Sequence, residues 1–190
     1  MIVDVSLAMK NHPRGHRLAS IEPTSVSLLG FLSVFRDAGG AWTGGYLVTN
    51  TWGRPLEFRM SSAVQPNKVQ QILYGETLHA YLCGEVIGKT LIEKTATPAQ
   101  WLFVDNPRSL EVRLHVGMPV GLWYNIVDAD QPWPGLVVQS RLYAHPSYPD
   151  DVPAMREQIE KLGPFDFGEP FARIREAMTE ARKLGVARAA

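Results

Sequence analysis

Three aspartates follow apolar stretches of the chain and are candidates for metal chemistry. Asp105 lies near the end of the stretch 100–106 (QWLFVDN), and Asp128 and Asp130 close the stretch 118–130 (MPVGLWYNIVDAD). Ligands of open parallel sheets bind beyond the carboxyl ends of the strands, and carboxylate oxygens suit Mg²⁺. If the two stretches are neighbouring strands, these carboxylates define a magnesium site. In the competing interpretation they are loop acids, and Asp105 caps the helix that follows it.

The elements around these acids predict parallel strands. Residues 107–117 (PRSLEVRLHVG) begin with proline, end with glycine and place two leucines one turn apart, which is typical of a short helix. A short helix between two buried strands is a βαβ unit, whose strands are parallel. Upstream, the strands 27–35, 46–50 and 56–62 form an antiparallel meander. The glycine-rich segment 36–45 is assigned to the turn between the first two.

A long helix is predicted between the meander and the βαβ unit. It covers residues 66–94, carries an apolar stripe and is broken or kinked at Gly75. Gly84 and Gly88 lie four residues apart and share one face. They therefore predict a close contact between this helix and the sheet.

Two amphipathic helices close the chain. Asp150 and Asp151 are candidates for the N-cap of the first. Phe171, Ile174 and Met178 form the apolar stripe of the second. Such a stripe must cover the sheet, the other helix or a partner, so these three residues are candidates for an interface.

The elements together predict an α/β or α+β fold. It has a mixed sheet with an N-terminal antiparallel meander, a βαβ portion and a C-terminal helical pair. A further strand over residues 3–9 precedes the meander. Residues 1–145 are expected to form the mixed core domain, and residues 146–190 a helical pair packed on that core or on a partner.

The order of elements resembles the ribonuclease H-like superfold over about residues 27–126. The order is strand, strand, strand, helix, strand, helix, strand. The resemblance implies acidic residues on the first strand, the first helix and the fourth strand, which together hold two metal ions. It also implies a Mg²⁺-dependent nuclease or phosphodiesterase. Carried over to this chain, it gives the candidate ligands Asp37, Glu76, Asp105 and Asp128.

The chain departs from that pattern at two of the positions. Asp37 follows the first strand and does not lie within it, and the first-helix position falls near Gln70 or Gln71, which are not acidic. Glu76 lies a turn or more further along, at or beyond the break. Fold analogy alone is a weak basis for function, so the nuclease is the alternative hypothesis.

Other catalytic arrangements have little support in the sequence. The pairs Gly39-Gly40 and Gly44-Gly45 lack the Gly-Lys-Ser/Thr ending of a phosphate-binding loop. Cys83 follows His79 by one helical turn but lies within a predicted helix beside Gly84, where burial is the expected state. No Gly-X-Ser-X-Gly elbow and no Cys-X-X-Cys pair occurs in the chain.

A small basic loop near the N-terminus is a candidate contact for phosphate or nucleic acid. It contains Lys10, Arg14 and Arg17. No aromatic residues alternate with these charges, as base stacking would require, and the competing interpretation is a solvated loop.

Composition indicates no particular class of partner. The 190 residues carry 19 basic and 19 acidic side chains, so net charge favours neither nucleic acid nor membrane. The longest apolar run is shorter than the roughly 20 residues that span a bilayer. One cysteine permits no intrachain disulfide, and the N-terminal residues do not form a signal peptide. A cytoplasmic protein is expected.

Several tryptophans fall in predicted turns and suggest a binding surface. Trp42 and Trp52 flank the second strand, Arg54 lies beside Trp52, and Trp133 lies between two prolines. Tryptophan and arginine are enriched at interface hot spots, although these side chains could instead cover the core. Together with the amphipathic helices and the lack of a strong catalytic motif, they predict a soluble, non-catalytic subunit of a protein assembly, without a cofactor. The alternative remains the Mg²⁺-dependent nuclease.

Overall fold

The described part of the chain is built around one mixed β-sheet. The computed structural model describes residues 27–37, 39–123 and 142–185. Their strands are β1 (Leu29–Arg36), β2 (Trp42–Thr49), β3 (Pro55–Met60), β4 (Trp101–Val104), β5 (Val120–Trp123) and β6 (Leu142–Ala144). They form a six-stranded sheet in the order β3-β2-β1-β4-β5-β6.

Strand direction confirms the predicted mixed sheet. β1, β2 and β3 are antiparallel neighbours, and β4 runs parallel to both β1 and β5. β6 is antiparallel to β5 at the far edge. The meander and the βαβ unit therefore meet at the β1–β4 pair in the centre of the sheet, and the protein belongs to the α/β class.

The helices lie between and after these strands. They are α1 (Lys68–Tyr74), α2 (Leu78–Tyr81), α3 (Thr90–Glu93), α4 (Asp151–Leu162) and α5 (Glu169–Lys183). A 3₁₀ turn (Gly75–Thr77) joins α1 to α2, a π-helical segment (Leu82–Lys89) joins α2 to α3, and a 3₁₀ helix (Pro107–Leu114) joins β4 to β5. None of the described helices is both long and apolar enough to cross a membrane.

The predicted break in the first helical region is confirmed at Gly75. Its φ of 51° is in the left-handed region that glycine adopts without strain. The predicted close approach to the sheet is present at Gly88, where a Cβ would lie 3.0 Å from Leu32 of β1. Gly84 instead faces the 3₁₀ helix, because a Cβ there would lie 2.7 Å from Cβ of Glu111. Sequence periodicity predicts α-helix on either side of this break, whereas the region changes hydrogen-bond pattern several times.

Each face of the sheet buries its own apolar cluster. Leu32 and Tyr46 point to the face covered by the π-helical segment and the 3₁₀ helix. Phe31 and Leu47 point to the opposite face, which α4 and α5 cover. This alternation follows from the two-residue period of a strand, and it gives the described chain three layers.

The boundaries of β2 differ from those predicted. Gly44 and Gly45, assigned to a turn, lie inside the strand, and Trp42 is its first residue. A Cβ at Gly44 would collide with Ile87 of the π-helical segment, and a Cβ at Gly45 would lie 2.5 Å from Ile174 of α5. These glycines allow helices to approach the sheet on both faces, which is why they occur in a strand.

The predicted N-capping role of Asp150 and Asp151 is wrong. Asp150 is the residue before α4, but its side chain makes no capping hydrogen bond. The Asp151 carboxylate is buried and accepts hydrogen bonds from the Arg113 guanidinium and from the backbone N–H of Val120. The acid at the start of α4 therefore links α4 to the opposite layer and to β5.

Glu57 fastens the segment before β4 to β3. Its carboxylate accepts backbone hydrogen bonds from Ala96 and Thr97 and forms an ion pair with Arg59 at 2.6 Å. Desolvation raises the pKa of Glu57, but the hydrogen bonds outweigh it and hold the pKa at about 2. The native structure thus binds the charged form of Glu57 more strongly than the unfolded chain does.

We expect Glu57 to contribute a pH-dependent part of the stability. Because its folded pKa of about 2 lies below the ordinary 4.5, its contribution is present above pH 4.5 and is lost as pH falls toward 2. Urea unfolding at a series of pH values should show Glu57→Gln less stable than the wild type near neutral pH, with the two converging in acid. Glu93→Gln, at an exposed site, is the control. Parallel pH profiles for wild type and Glu57→Gln would contradict this role.

Candidate functional site

Helix α1 presents apolar side chains to solvent. None of its seven residues is buried. Val69, Ile72 and Leu73 are 63%, 68% and 77% exposed. Residues at spacings of three and four lie on one side of a helix, so these three form a continuous surface, the α1 apolar face.

Local interactions define both ends of α1. Asn67 accepts a hydrogen bond from the backbone N–H of Gln70, and the Gln70 side chain accepts one from the backbone N–H of Asn67, each at 2.9 Å. This reciprocal capping box satisfies two N–H groups at the helix start. At the other end Gly75 donates to the carbonyl of Gln71. A helix this short is marginal without packing, so the caps specify its ends while its apolar face remains uncovered.

A cleft of about 880 Å³ lies beside α1. Its walls come from the 3₁₀ turn, α2, the π-helical segment and the 3₁₀ helix; its charged or aromatic lining includes Tyr74, Glu76, Tyr81, Glu85, Arg108 and Glu111. The rings of Tyr74 and Tyr81 stack with centroids 4.5 Å apart. This stack connects the end of α1 to α2 and orients α1 at the rim of the cleft.

His79 also lines the cleft and is held by the sheet. Its ring lies 4.9 Å from the Trp42 ring, between centroids. Burial lowers the pKa of His79, and the charges of Arg108 and Arg36 lower it further. His79 is therefore neutral at physiological pH, and its contact with Trp42 is a packing contact.

The candidate metal ligand Asp105 is occupied by protein contacts. Its carboxylate accepts a hydrogen bond from the Ser33 hydroxyl at 2.7 Å and forms an ion pair with Arg175 of α5. Burial raises the pKa of Asp105, which Arg175 and Ser33 oppose. The position beside Asp105 on β1 is thus taken by a serine, in place of the acid that the ribonuclease H-like pattern implies.

Of the other proposed metal ligands, Asp37 and Glu76 form no metal-binding cluster with Asp105. Asp37 accepts a hydrogen bond from the backbone N–H of Ala41 at 2.9 Å, and Glu76 lines the cleft. Among residues 27–37, 39–123 and 142–185, no three His, Cys, Asp or Glu side chains gather where they could hold a metal ion. Asp128 and Asp130 lie outside the described residues.

Trp52 lies at the turn between β2 and β3 and is 82% exposed. The Asn50 side chain accepts hydrogen bonds from the backbone N–H groups of Trp52 and Arg54, both at 3.0 Å, and Gly53 has a φ of 74°. This turn geometry places the indole and the Arg54 side chain at the surface. Trp52 is a second exposed apolar group, separate from the α1 apolar face.

Four residues predicted for an interface lie in the core. They are Trp42, Phe171, Ile174 and Met178. Trp42 opens β2 on one face of the sheet, and the other three lie on α5 against the opposite face. They are buried within their own chain and offer no surface to a partner, which corrects the prediction. The remaining predicted contact residues lie outside the described residues: Trp133, Lys10, Arg14 and Arg17.

The α1 apolar face was not among the predicted sites. Its three residues fall in the helix that the sequence predicts over residues 66–94 and that is expected to pack on the sheet. A signal was present, because Pro66 and Gly75 limit the first part of that region to two turns. A short helix isolated by two breakers need not follow the direction of the next one, and here it does not pack on the sheet.

No known protein family matches this chain, and no curated protein sequence matches it either.

Proposed function

We propose that the protein is a non-catalytic interaction subunit of a protein assembly and binds its partner through the α1 apolar face. The observation that carries this proposal is the exposure of Val69, Ile72 and Leu73 on a helix with no buried residue. Single exposed apolar residues are common, but a contiguous apolar surface marks an interaction site.

The energetics favour covering this face. Transferring one Val, Leu or Ile side chain fully out of water contributes roughly 1.5–3 kcal/mol. Three adjacent side chains would offset part of the cost of association. A partner would also stabilise α1 itself, since packing an amphipathic face contributes most of the stability of a short helix.

The positions of the candidate reactive groups also support a non-catalytic role. Burial raises the pKa of the Cys83 thiol to about 12, so the thiolate nucleophile is not formed near neutral pH. Asp105 pairs with Arg175. The Mg²⁺-dependent nuclease stays a prediction, as does the cytoplasmic location; both the single buried cysteine and the balanced charge are compatible with that compartment.

Leu73→Glu tests the proposal against a matched control. Leu73 and Leu184 are both 77% exposed, so either substitution should change the free energy of unfolding by no more than about 0.5 kcal/mol. We expect Leu73→Glu to weaken binding of the purified partner by about tenfold or more, since it places a charge in the contact. Leu184→Glu should bind as the wild type does. The measurement is calorimetric titration with a partner isolated from the native host and identified.

Hydrogen exchange locates the contact independently. The amides of α1 should exchange quickly in the free chain, because no tertiary packing covers them, and slowly in the complex. Unchanged affinity in Leu73→Glu, or a complex in which α1 exchange is unaltered, would refute the proposed function.

A further inference from the structure

We infer that the cleft beside α1 is a binding site for an aliphatic polyamine, a flexible cation whose ammonium groups are separated by methylene runs. This site is distinct from the α1 apolar face, so the inference goes beyond the proposed function and does not depend on it. It is carried by the size of the cleft, by the backbone of one wall and by the side chains that line it.

The cleft has the size and the apolar surface of a small-molecule site. Its volume of about 880 Å³ lies within the range of about 300–1,000 Å³ that is typical of ligand pockets. Ala80 and Leu114 line it together with the stacked rings of Tyr74 and Tyr81. An aliphatic chain can pack on these apolar atoms, and a tyrosine ring also attracts an ammonium group.

One wall of the cleft has an unusual backbone. The segment Leu82–Lys89 is π-helical over eight residues, whereas π-helix occurs mostly as single turns, which are frequent at functional sites. Gly84 and Gly88 of this segment pack closely on neighbouring elements, and Glu85 between them is exposed and lines the cleft. The π-helical wall therefore packs on the protein on one side and presents an acid to the cleft on the other.

The charge of the cleft favours a cation. The described lining residues that carry a charge or can acquire one are Glu76, Glu85, Glu111, Arg108, His79 and His115. Three of them are carboxylates and one is a guanidinium, so the cleft is negative unless both histidines are protonated. Burial lowers the pKa of His79, which keeps that ring uncharged at physiological pH.

The positions of the three carboxylates favour an extended cation over a metal ion. Glu76 comes from the 3₁₀ turn, Glu85 from the π-helical segment and Glu111 from the 3₁₀ helix. In the described part of the chain no three acidic, histidine or cysteine side chains gather where they could hold a metal ion. A polyamine can place separate ammonium groups near separate carboxylates, while its methylene groups pack on the apolar atoms between them.

The carboxylate of Glu111 is not occupied by its nearest basic neighbour. Its Oε1 atom lies 3.6 Å from Nε2 of His145, which is too long for a hydrogen bond. Glu76 and Glu85 are exposed, and ion pairs between exposed groups are weak and screened by salt. We therefore expect the affinity for a polyamine to be highest at low ionic strength and to fall as the NaCl concentration rises.

Calorimetric titration of the full chain with a series of amines tests the inference. The probes are spermidine, 1,4-diaminobutane and butylamine, which carry three, two and one ammonium groups, all at low ionic strength. Affinity should rise roughly threefold with each added ammonium group, as one exposed ion pair contributes. Equal affinities for butylamine and spermidine, or no binding of spermidine, would overturn the inference. Saturable binding of Mg²⁺ that spermidine displaces would overturn it in favour of a metal site.

Two variants with the same change of charge locate the site. Glu85→Gln should weaken spermidine binding by roughly threefold or more, because it removes one carboxylate from the cleft. Glu160→Gln removes an exposed acid from α4, on the opposite face of the sheet, and should bind as the wild type does. Both acids are exposed, so the thermal unfolding of the two variants should match that of the wild type. Equal losses of affinity would show that spermidine responds only to the net charge of the chain, which would overturn the cleft as its site.

Discussion

Replacing Asp151 with alanine is expected to lower the free energy of unfolding by about 3–5 kcal/mol, which is the usual cost of removing one partner of a buried ion pair. The side chains of Asp151 and Arg113 are only 8% and 13% exposed. Without the carboxylate, the Arg113 charge loses its counter-ion and the Val120 N–H loses its acceptor. Urea unfolding followed by circular dichroism measures the loss.

The large effect follows from the position of this pair in the fold. Arg113 comes from the 3₁₀ helix on one face of the sheet, and Asp151 is the first residue of α4 on the other. The guanidinium contacts the Asp151 carboxylate at 2.6 Å, donates to the carbonyl of Val116 at 3.0 Å and lies 3.9 Å from the centre of the Tyr148 ring. Loss of the Asp151 carboxylate therefore loosens the contact between the two helical layers at the β5 end of the sheet.

Asp150→Ala is the matched control for this prediction. Asp150 is adjacent, also acidic, exposed and without a capping hydrogen bond, so its removal should cost less than about 0.5 kcal/mol. Equal effects at the two positions would show that Asp151 acts only through its charge at the start of α4. An effect confined to Asp151 would confirm the buried pair.

The sequence predicted those features that local periodicity and turn chemistry determine. Alternation over 56–62 identified β3, and proline and glycine delimited the helix between β4 and β5. These elements could be predicted because each signal depends only on residues that are close together in the sequence. Gly75 likewise marked its own break, since few other residues adopt its backbone conformation without strain.

The candidate site depended on contacts between distant residues, which the sequence does not display. Asp105 was assigned to a metal, yet Ser33 and Arg175, each about 70 residues away, occupy its carboxylate. The same reason explains the errors at Phe171 and Met178. An apolar stripe shows that a helix packs on another surface, but it does not identify that surface. Only the three-dimensional structure shows that α5 packs on the sheet of its own chain and that the apolar face of α1 packs on nothing.

Gly44→Ala is expected to destabilise the protein by about 1–3 kcal/mol or more through overpacking. In an ordinary strand this substitution would be favourable, because glycine loses the most conformational freedom on folding. Here the added methyl would collide with Cγ2 of Ile87 and lie 3.2 Å from Val34 and 3.3 Å from Leu91. All three neighbours are buried, so none can move into solvent. Thermal or urea unfolding would measure the loss.

A second substitution at Ile87 can identify the collision as the cause. Ile87→Leu removes the branched methyl Cγ2 at nearly constant volume, whereas Ile87→Val retains the branch. In a double-mutant cycle, Ile87→Leu should restore part of the stability lost in Gly44→Ala, and Ile87→Val should restore little. If the two rescue equally, the backbone of β2 and not the side-chain contact determines the cost. Preferential rescue by leucine would establish that glycine is required in this strand because the π-helical segment packs directly against its backbone.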